Sequence, residues 1–155
     1  MRTFDLNQEQ SFARPLGEIF SFFSDAANLA RITPPWMRFE ILTPLPIAMS
    51  VGALIDYRIW IARIPLRWTT EITLWEPPRR FVDEQKRGPY RLWVHDHRFE
   101  ERDGRVQVVD HVRYAVPGGA LVERFFVRPR LEQIFGFRRQ ALHDILEPGD
   151  ESGSR

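Results

Sequence analysis

Between residues 38 and 116 apolar and polar positions alternate with a period of two, broken by short turn signals, and the flanking segments switch to a helical period. The alternation predicts strands near 38–43, 53–62, 66–76, 80–87, 91–101 and 105–116. FDLNQEQSF at 4–12 predicts one more ahead of them. Pro15 suits the first turn of a helix because its missing N–H would be unpaired there, and Leu16, Ile19, Phe20 and Phe23 share one stripe of that helix. Asp25 predicts the cap of a second short helix running through Arg31, stopped by Pro34 and Pro35. After the PGG at 117–119 the period is helical to about residue 146, with Pro129 expected to kink or split the run. No repeat or linker divides the chain, so a single domain over 1–147 is expected, and EPGDESGSR leaves 148–155 as a disordered tail.

Strand alternation also names the inward face. Leu66, Trp68, Thr70, Ile72 and Leu74 form one inner set; Val106, Val108, Asp110, Val112, Tyr114 and Val116 form another. Trp93, His95, His97 and Phe99 are inner because their alternates include Asp96, Arg98 and Glu100, and Phe81, Asp83 and Gln85 follow on the strand before. Three successive strands thus place polar groups on an otherwise apolar face, where burial is costly unless they pair. A two-residue turn at Asp103–Gly104 sets His97 opposite Asp110 and Trp93 opposite Tyr114. The Gly88–Pro89 connection, if odd in length, sets Asp83 opposite His95 or His97.

The 155 residues carry 22 basic and 21 acidic side chains, a balance that argues against nucleic acid as a partner. There is no cysteine, which excludes thiolate metal sites and disulfides and fits a reducing cytoplasm. No apolar run approaches the roughly 20 residues of a membrane span, and MRTFDLNQEQ is too polar for a signal peptide. A cytoplasmic protein without integral membrane association is expected; the oligomeric state is open.

The HxH of WVHDHRFEE admits three readings. Two histidines with Asp83 or Asp110 could hold a metal, but HxH alone is a weak signal, and neither a metal nor another cofactor is expected. A histidine fixed by an aspartate could move protons, with His97, Asp110 and His95 as the catalytic candidates. No serine or cysteine nucleophile motif is present. The third reading is a pocket whose walls are aromatic. Its ligand-binding candidates are Asp83, Gln85, Trp93, His95, His97, Phe99 and Tyr114, with Tyr57, Trp68, Trp36, Phe126 and Phe135. Phe23 and Leu131 are further aromatic or apolar candidates for the same wall. Arg124, Arg128, Arg130, Arg138 and Arg139 read as a solvated basic face balanced by Glu123 and Glu132.

ARPLGEIFSFFSDAANL, the run FVDEQKRGPYRLWVHDHRFEERDGRVQVVDHVRYAVPGG and the following LEQIFGFRRQAL resemble the START-like helix-grip superfamily of polyketide cyclase/dehydrase and lipid-transport proteins (SRPBCC), in a bacterial branch, over about residues 3–146. The resemblance implies an α+β fold: a curved seven-stranded antiparallel sheet around a long C-terminal helix, with two short helices between strands 1 and 2 and an internal apolar cavity. It implies a hydrophobic small-molecule partner such as a lipid, polyketide or isoprenoid, bound or transported. The alternative is a cyclase/dehydratase-type enzyme with a His–Asp acid/base dyad.

Overall fold

The computed structural model describes residues 1–147; the tail expected at 148–155 lies outside the described residues. Seven strands form one sheet: β1 (Phe4–Phe12), β2 (Glu40–Ile41), β3 (Leu54–Ile61), β4 (Ile64–Glu76), β5 (Arg80–Arg87), β6 (Leu92–Arg102) and β7 (Arg105–Ala115). Their order is β1-β7-β6-β5-β4-β3-β2, and each neighbouring pair is antiparallel. Every strand except β1 therefore lies beside its neighbour in sequence, and β1 closes onto the last strand.

Helix α1 (Leu16–Ser24) follows Pro15 and buries Leu16, Ile19, Phe20 and Phe23 against the sheet. The second short helix is a 3-10 turn over Ala26–Ile32, capped by Asp25, whose carboxylate accepts the Ala27 N–H at 2.9 Å. A further 3-10 turn spans Pro35–Met37. Arg38 adopts a left-handed conformation (φ 46°), so the strand expected at 38–43 starts only at Glu40; it stops after Ile41, where the Leu42 and Thr43 N–H groups both donate to the Asp56 carbonyl.

The C-terminal helical run starts as α2 (Gly119–Val122), widens into a π-helical turn (Glu123–Val127) and continues as α3 (Arg128–Leu146). Pro129 sits in the first turn of α3. The widened turn ahead of it accommodates the proline ring and its missing N–H, so the expected interruption appears as a change of helical pitch. Leu131, Phe135, Leu142 and Leu146 of α3 are buried beneath the sheet's concave face.

The DG hairpin is as the sequence predicts: Asp103 (φ 54°) and Gly104 (φ 75°) make the two-residue turn, and β6 and β7 pair His97 with Asp110 and Trp93 with Tyr114. On the other side of β6, Asp83 faces His95 and Phe81 faces His97. Strand β4 departs from strict alternation. A bulge between Ile72 and Leu74 flips its side-chain parity, so Trp75, not Leu74, packs onto Phe20 and Phe81 (ring centroids at 5.2 and 5.9 Å).

The core forms two clusters. One gathers Phe12, Phe20, Phe23, Ile72, Phe81, Phe99 and Leu142 near α1. The other gathers Trp68, Trp93, Val112, Tyr114, Leu131 and Phe135. The candidate site lies where they fail to merge.

Candidate functional site

A cavity of about 190 Å³ opens between the two clusters, bounded by β3 to β6, α1, the 3-10 turns and α3. Its wall is chiefly apolar: Phe23, Ile55, Ile59, Ile72, Trp68 and Trp93 contribute with Leu131 and Phe135. Into this wall β5 and β6 deliver Asp83, His95 and His97, and β3, β4 and the β5–β6 connection add Tyr57, Thr70 and Tyr90.

The two imidazoles stack at 3.7 Å between centroids, and His97 also stacks on Phe81 at 4.1 Å. Both are buried, as is Asp110. Although His97 faces Asp110 across the ladder, the hydrogen bonds run on the diagonals. His95 Nε2 bonds Asp110 Oδ1 at 2.9 Å and His97 Nε2 bonds Asp83 Oδ2 at 2.7 Å. His97 Nδ1 adds an ionic contact to Asp110 Oδ1 at 3.1 Å, without the alignment of a hydrogen bond. Thr70 Oγ1 lies 3.4 Å from Asp83 Oδ1 and donates to the Glu84 carbonyl at 3.1 Å.

These contacts drive the two rings apart in charge. Burial depresses the pKa of His97, but the flanking Asp110 and Asp83 carboxylates outweigh it and leave the pKa raised. Burial dominates at His95, the neighbouring His97 charge adds to it, and the pKa is lowered. Burial opposes ionisation of both aspartates. It is overcome at Asp83 by the His97 hydrogen bond, and at Asp110, which ends well below the usual carboxylate range, by the Arg138 charge and both histidines. The shifts oppose one another, so a proton shared by the two rings favours His97 over His95. Neutral His95 then donates through Nε2 to Asp110, which leaves Nδ1 with the lone pair.

Asp83, His95 and His97 present donor atoms all within 4.8 Å of one another, a spacing compatible with a metal ion. Both Nε2 atoms are already engaged with carboxylates, His95 with Asp110 and His97 with Asp83.

Of the ligand-binding candidates, Asp83, Trp93, His95, His97, Tyr57, Trp68 and Phe135 come together around the cavity. Five do not. Gln85 points to the β5–β6 connection, where its amide clamps both backbone groups of Tyr90 (2.7 and 3.1 Å), because Gly88–Pro89 leaves those groups otherwise unpaired. Phe99 is wedged into the aromatic core against Phe20, Phe23 and Phe81. Tyr114 is buried with its hydroxyl donating to Glu123 Oε1 at 2.6 Å, outside the cavity wall. Trp36 (60 % exposed) and Phe126 (67 % exposed) line a second, outer pocket of about 470 Å³, formed with Trp60, Pro89, Val122 and Arg130. Met37, Ile61, Tyr90 and Ile134 border both pockets. Asp110 stands behind the histidines rather than in the wall.

Arg138 is the residue the basic-face reading misassigns. Its side chain is only 11 % exposed, it lines the cavity, its guanidinium lies 5.5 Å over the Phe23 ring, and it approaches Asp110 Oδ1 at 3.7 Å. Its position was legible: Leu131, Phe135, Arg138 and Leu142 fall on one helical stripe, which makes Arg138 an inward residue flanked by apolar ones.

Among the described residues no helix is long and apolar enough to cross a membrane. No curated protein matches the sequence. Among solved structures the fold is similar to Ara h 8.0201 (TM-score 0.71, 13% identity, covering 96% of this chain and 100% of that one). It is also similar to protein Ms6760 from Mycobacterium smegmatis (TM-score 0.67, 16% identity, covering 92% and 90%). A third likeness is to the ZhuI aromatase/cyclase from Streptomyces sp. R1128 (TM-score 0.65, 16% identity, covering 99% and 100%). At such identities the likeness is one of fold, the START-like helix grip. Residues 12–142 match the family model described as polyketide cyclase / dehydrase and lipid transport, and the chain belongs to that family.

Proposed function

We propose that the protein binds a hydrophobic small molecule, a lipid, polyketide or isoprenoid in class, in the cavity between sheet and α3. The observation that carries this reading is the cavity itself: an apolar wall broken at one place by a buried, paired polar cluster. Apolar contact supplies affinity in such a site, and a few placed polar groups orient the ligand. Asp83, His95 and His97 take that orienting part, with Tyr57, Trp68, Trp93 and Phe135 as the apolar walls. The balanced charge speaks against nucleic acid, and the absence of cysteine suits the cytoplasm. The test is titration with the neutral apolar fluorophore N-phenyl-1-naphthylamine. Saturable binding by the wild type that is lost in Ile134→Trp, which plugs the cavity from α3, supports the reading. Equal binding by both would move the site elsewhere.

A second reading, a cyclase or dehydratase, is favoured by the split between the histidines. Adjacent titratable groups driven to opposite charge states are the arrangement acid/base chemistry uses. His95 Nδ1 is then the proton acceptor, held by Asp110, and His97 with Asp83 the proton donor. His95→Gln should spare dye binding and abolish conversion of the bound molecule, followed by its mass; conversion that continues sinks this assignment.

A further inference from the structure

Residues 119–130, the run from α2 through the widened turn into α3, are folded inside out. Glu123 is 5 % exposed, whereas Leu121, Phe125 and Phe126 are 71 %, 61 % and 67 % exposed. A helix that faces water does the reverse: it buries its apolar stripe and leaves its carboxylates outside. Here the carboxylate turns inward, where it accepts from the Tyr114 hydroxyl at 2.6 Å and from Arg128 Nε at 2.8 Å. That anchor holds Leu121, Phe125 and Phe126 on the outer side of the run.

These side chains do not stand singly. Phe126 and Val122 share the rim of the outer pocket with Trp36 and Trp60, and the β3–β4 turn, which reaches the pocket through Ala62, exposes Ile64. Contiguous exposed apolar surface of this kind marks an interaction site. The three stretches that frame the pocket, 36–39, 60–65 and 117–130, contain five arginines and one acid. The acid is Glu123, and it is spent on Arg128. Glu132, the next acid along the chain, lies beyond that frame on α3. Arg38, Arg63, Arg124 and Arg130 are exposed and have no acidic partner within ion-pair distance among the described residues. Arg38 lies 5.5 Å over the Trp60 ring and Arg124 5.4 Å over the Phe125 ring, so cations and aromatics interleave.

Charge selects the occupant. A second copy seated symmetrically on this patch would set unpaired arginines against the same unpaired arginines. Nucleic acid would meet the arginines but give Leu121 and Phe125 no apolar surroundings. An anionic bilayer answers both. Its acidic headgroups take the arginines, and its headgroup–acyl boundary takes the rings and the leucine.

We propose that the patch formed by residues 119–130, the Pro35–Met37 turn and the β3–β4 turn docks the protein peripherally on an anionic lipid bilayer. Leu121, Phe125, Phe126 and Trp36 enter the interface, and Arg38, Arg63, Arg124 and Arg130 bind headgroups. Few side chains insert, so the attachment is reversible. It does not depend on what fills the inner cavity.

The test is cosedimentation of the full chain with vesicles of phosphatidylcholine alone and of equimolar phosphatidylcholine and phosphatidylglycerol. Each arginine near an anionic surface contributes roughly fivefold, so the anionic vesicles should bind at least about a hundredfold more tightly. Arg124→Gln with Arg130→Gln should weaken that binding by about twenty-fivefold. Arg79→Gln with Arg113→Gln removes the same charge from the β4–β5 turn and the outer face of β7, and should weaken it by no more than about twofold. Phe125→Ser with Phe126→Ser should weaken it at least about tenfold. All of these side chains are exposed, and an unchanged urea midpoint confirms that each variant is folded. Brominated phosphatidylcholine in the anionic vesicles should quench tryptophan fluorescence, and less so in Trp36→Phe. Equal binding to both vesicles, or equal losses in the two arginine pairs, overturns the recognition of charge at this patch. Binding or quenching that is unchanged in the phenylalanine and Trp36 variants overturns the insertion. Binding to neither vesicle overturns the proposal outright, and a wild-type dimer in sedimentation velocity that dissociates in Phe125→Ser with Phe126→Ser assigns the patch to a second copy instead.

Discussion

Replacing Asp110 by asparagine keeps the shape of a fully buried group and removes the charge that three partners share. His95 Nε2 lies 2.9 Å from its carboxylate, His97 Nδ1 3.1 Å and the Arg138 guanidinium 3.7 Å. In the variant two cations face Asp83 alone. Removing one partner from a buried ion pair costs about 3–5 kcal/mol. The variant relieves part of that cost by releasing the His97 proton, so the loss depends on pH. The raised pKa of His97 gives the wild type a stabilisation that is complete below 6.5 and fades as pH rises through the raised value. The lowered pKa of Asp110 gives a stabilisation present above 3.8 and constant across the neutral range. Asp110→Asn should therefore cost about 5 kcal/mol at pH 6 and about 3 kcal/mol at pH 8, by urea unfolding with an unchanged m-value. At pH 8 this is a drop in Tm of about 6–12 °C for a chain of this length. As the control, Asp5→Asn breaks the exposed pair with His111 and should change stability by about 0–1 kcal/mol. A loss below about 1 kcal/mol for Asp110→Asn, or one larger at pH 8 than at pH 6, refutes the charge network described here.

Ring-nitrogen NMR should find His97 still protonated above pH 6.5 and His95 still neutral below it; two rings titrating together at 6.5 would contradict the split. Phe99→Ala should cost about 3–5 kcal/mol because it opens a void among Phe20, Phe23 and Phe81, whereas Phe126→Ala, exposed at the outer pocket, should cost less than about 0.5 kcal/mol by the same denaturation assay. Gly118 has φ 92° and an added Cβ would lie 2.4 Å from Val122 Cγ2, so Gly118→Ala should destabilise by at least about 1–2 kcal/mol and loosen the start of α2.

The sheet was legible where chemistry and period agreed. Asp103–Gly104 accepts the positive φ of a tight hairpin turn, which fixed the β6–β7 register and with it the placing of His97 against Asp110. The β3–β4 turn at Ala62 and Arg63 has positive φ as well (47° and 68°), but neither residue signals it, and the sequence leaves that connection vague. Alternation failed at the β4 bulge, where one extra residue exchanges Leu74 for Trp75 on the inner face; no local residue type marks such an insertion. It also could not separate residues that fill the inner face from residues that line a space, which is why Phe99 and Tyr114 stood among the wall candidates. That separation depends on where two core clusters stop touching. Nor could register alone choose the diagonal hydrogen bonds, which depend on how the stacked rings tilt.

Native mass spectrometry of freshly purified protein, compared with its denatured mass, tests the central claim most directly. An organic mass that is released on denaturation, and reduced in occupancy in Ile134→Trp, is the expected result. An increment the size of a metal ion that disappears in His95→Ala, or an organic mass retained in full by Ile134→Trp, would contradict it.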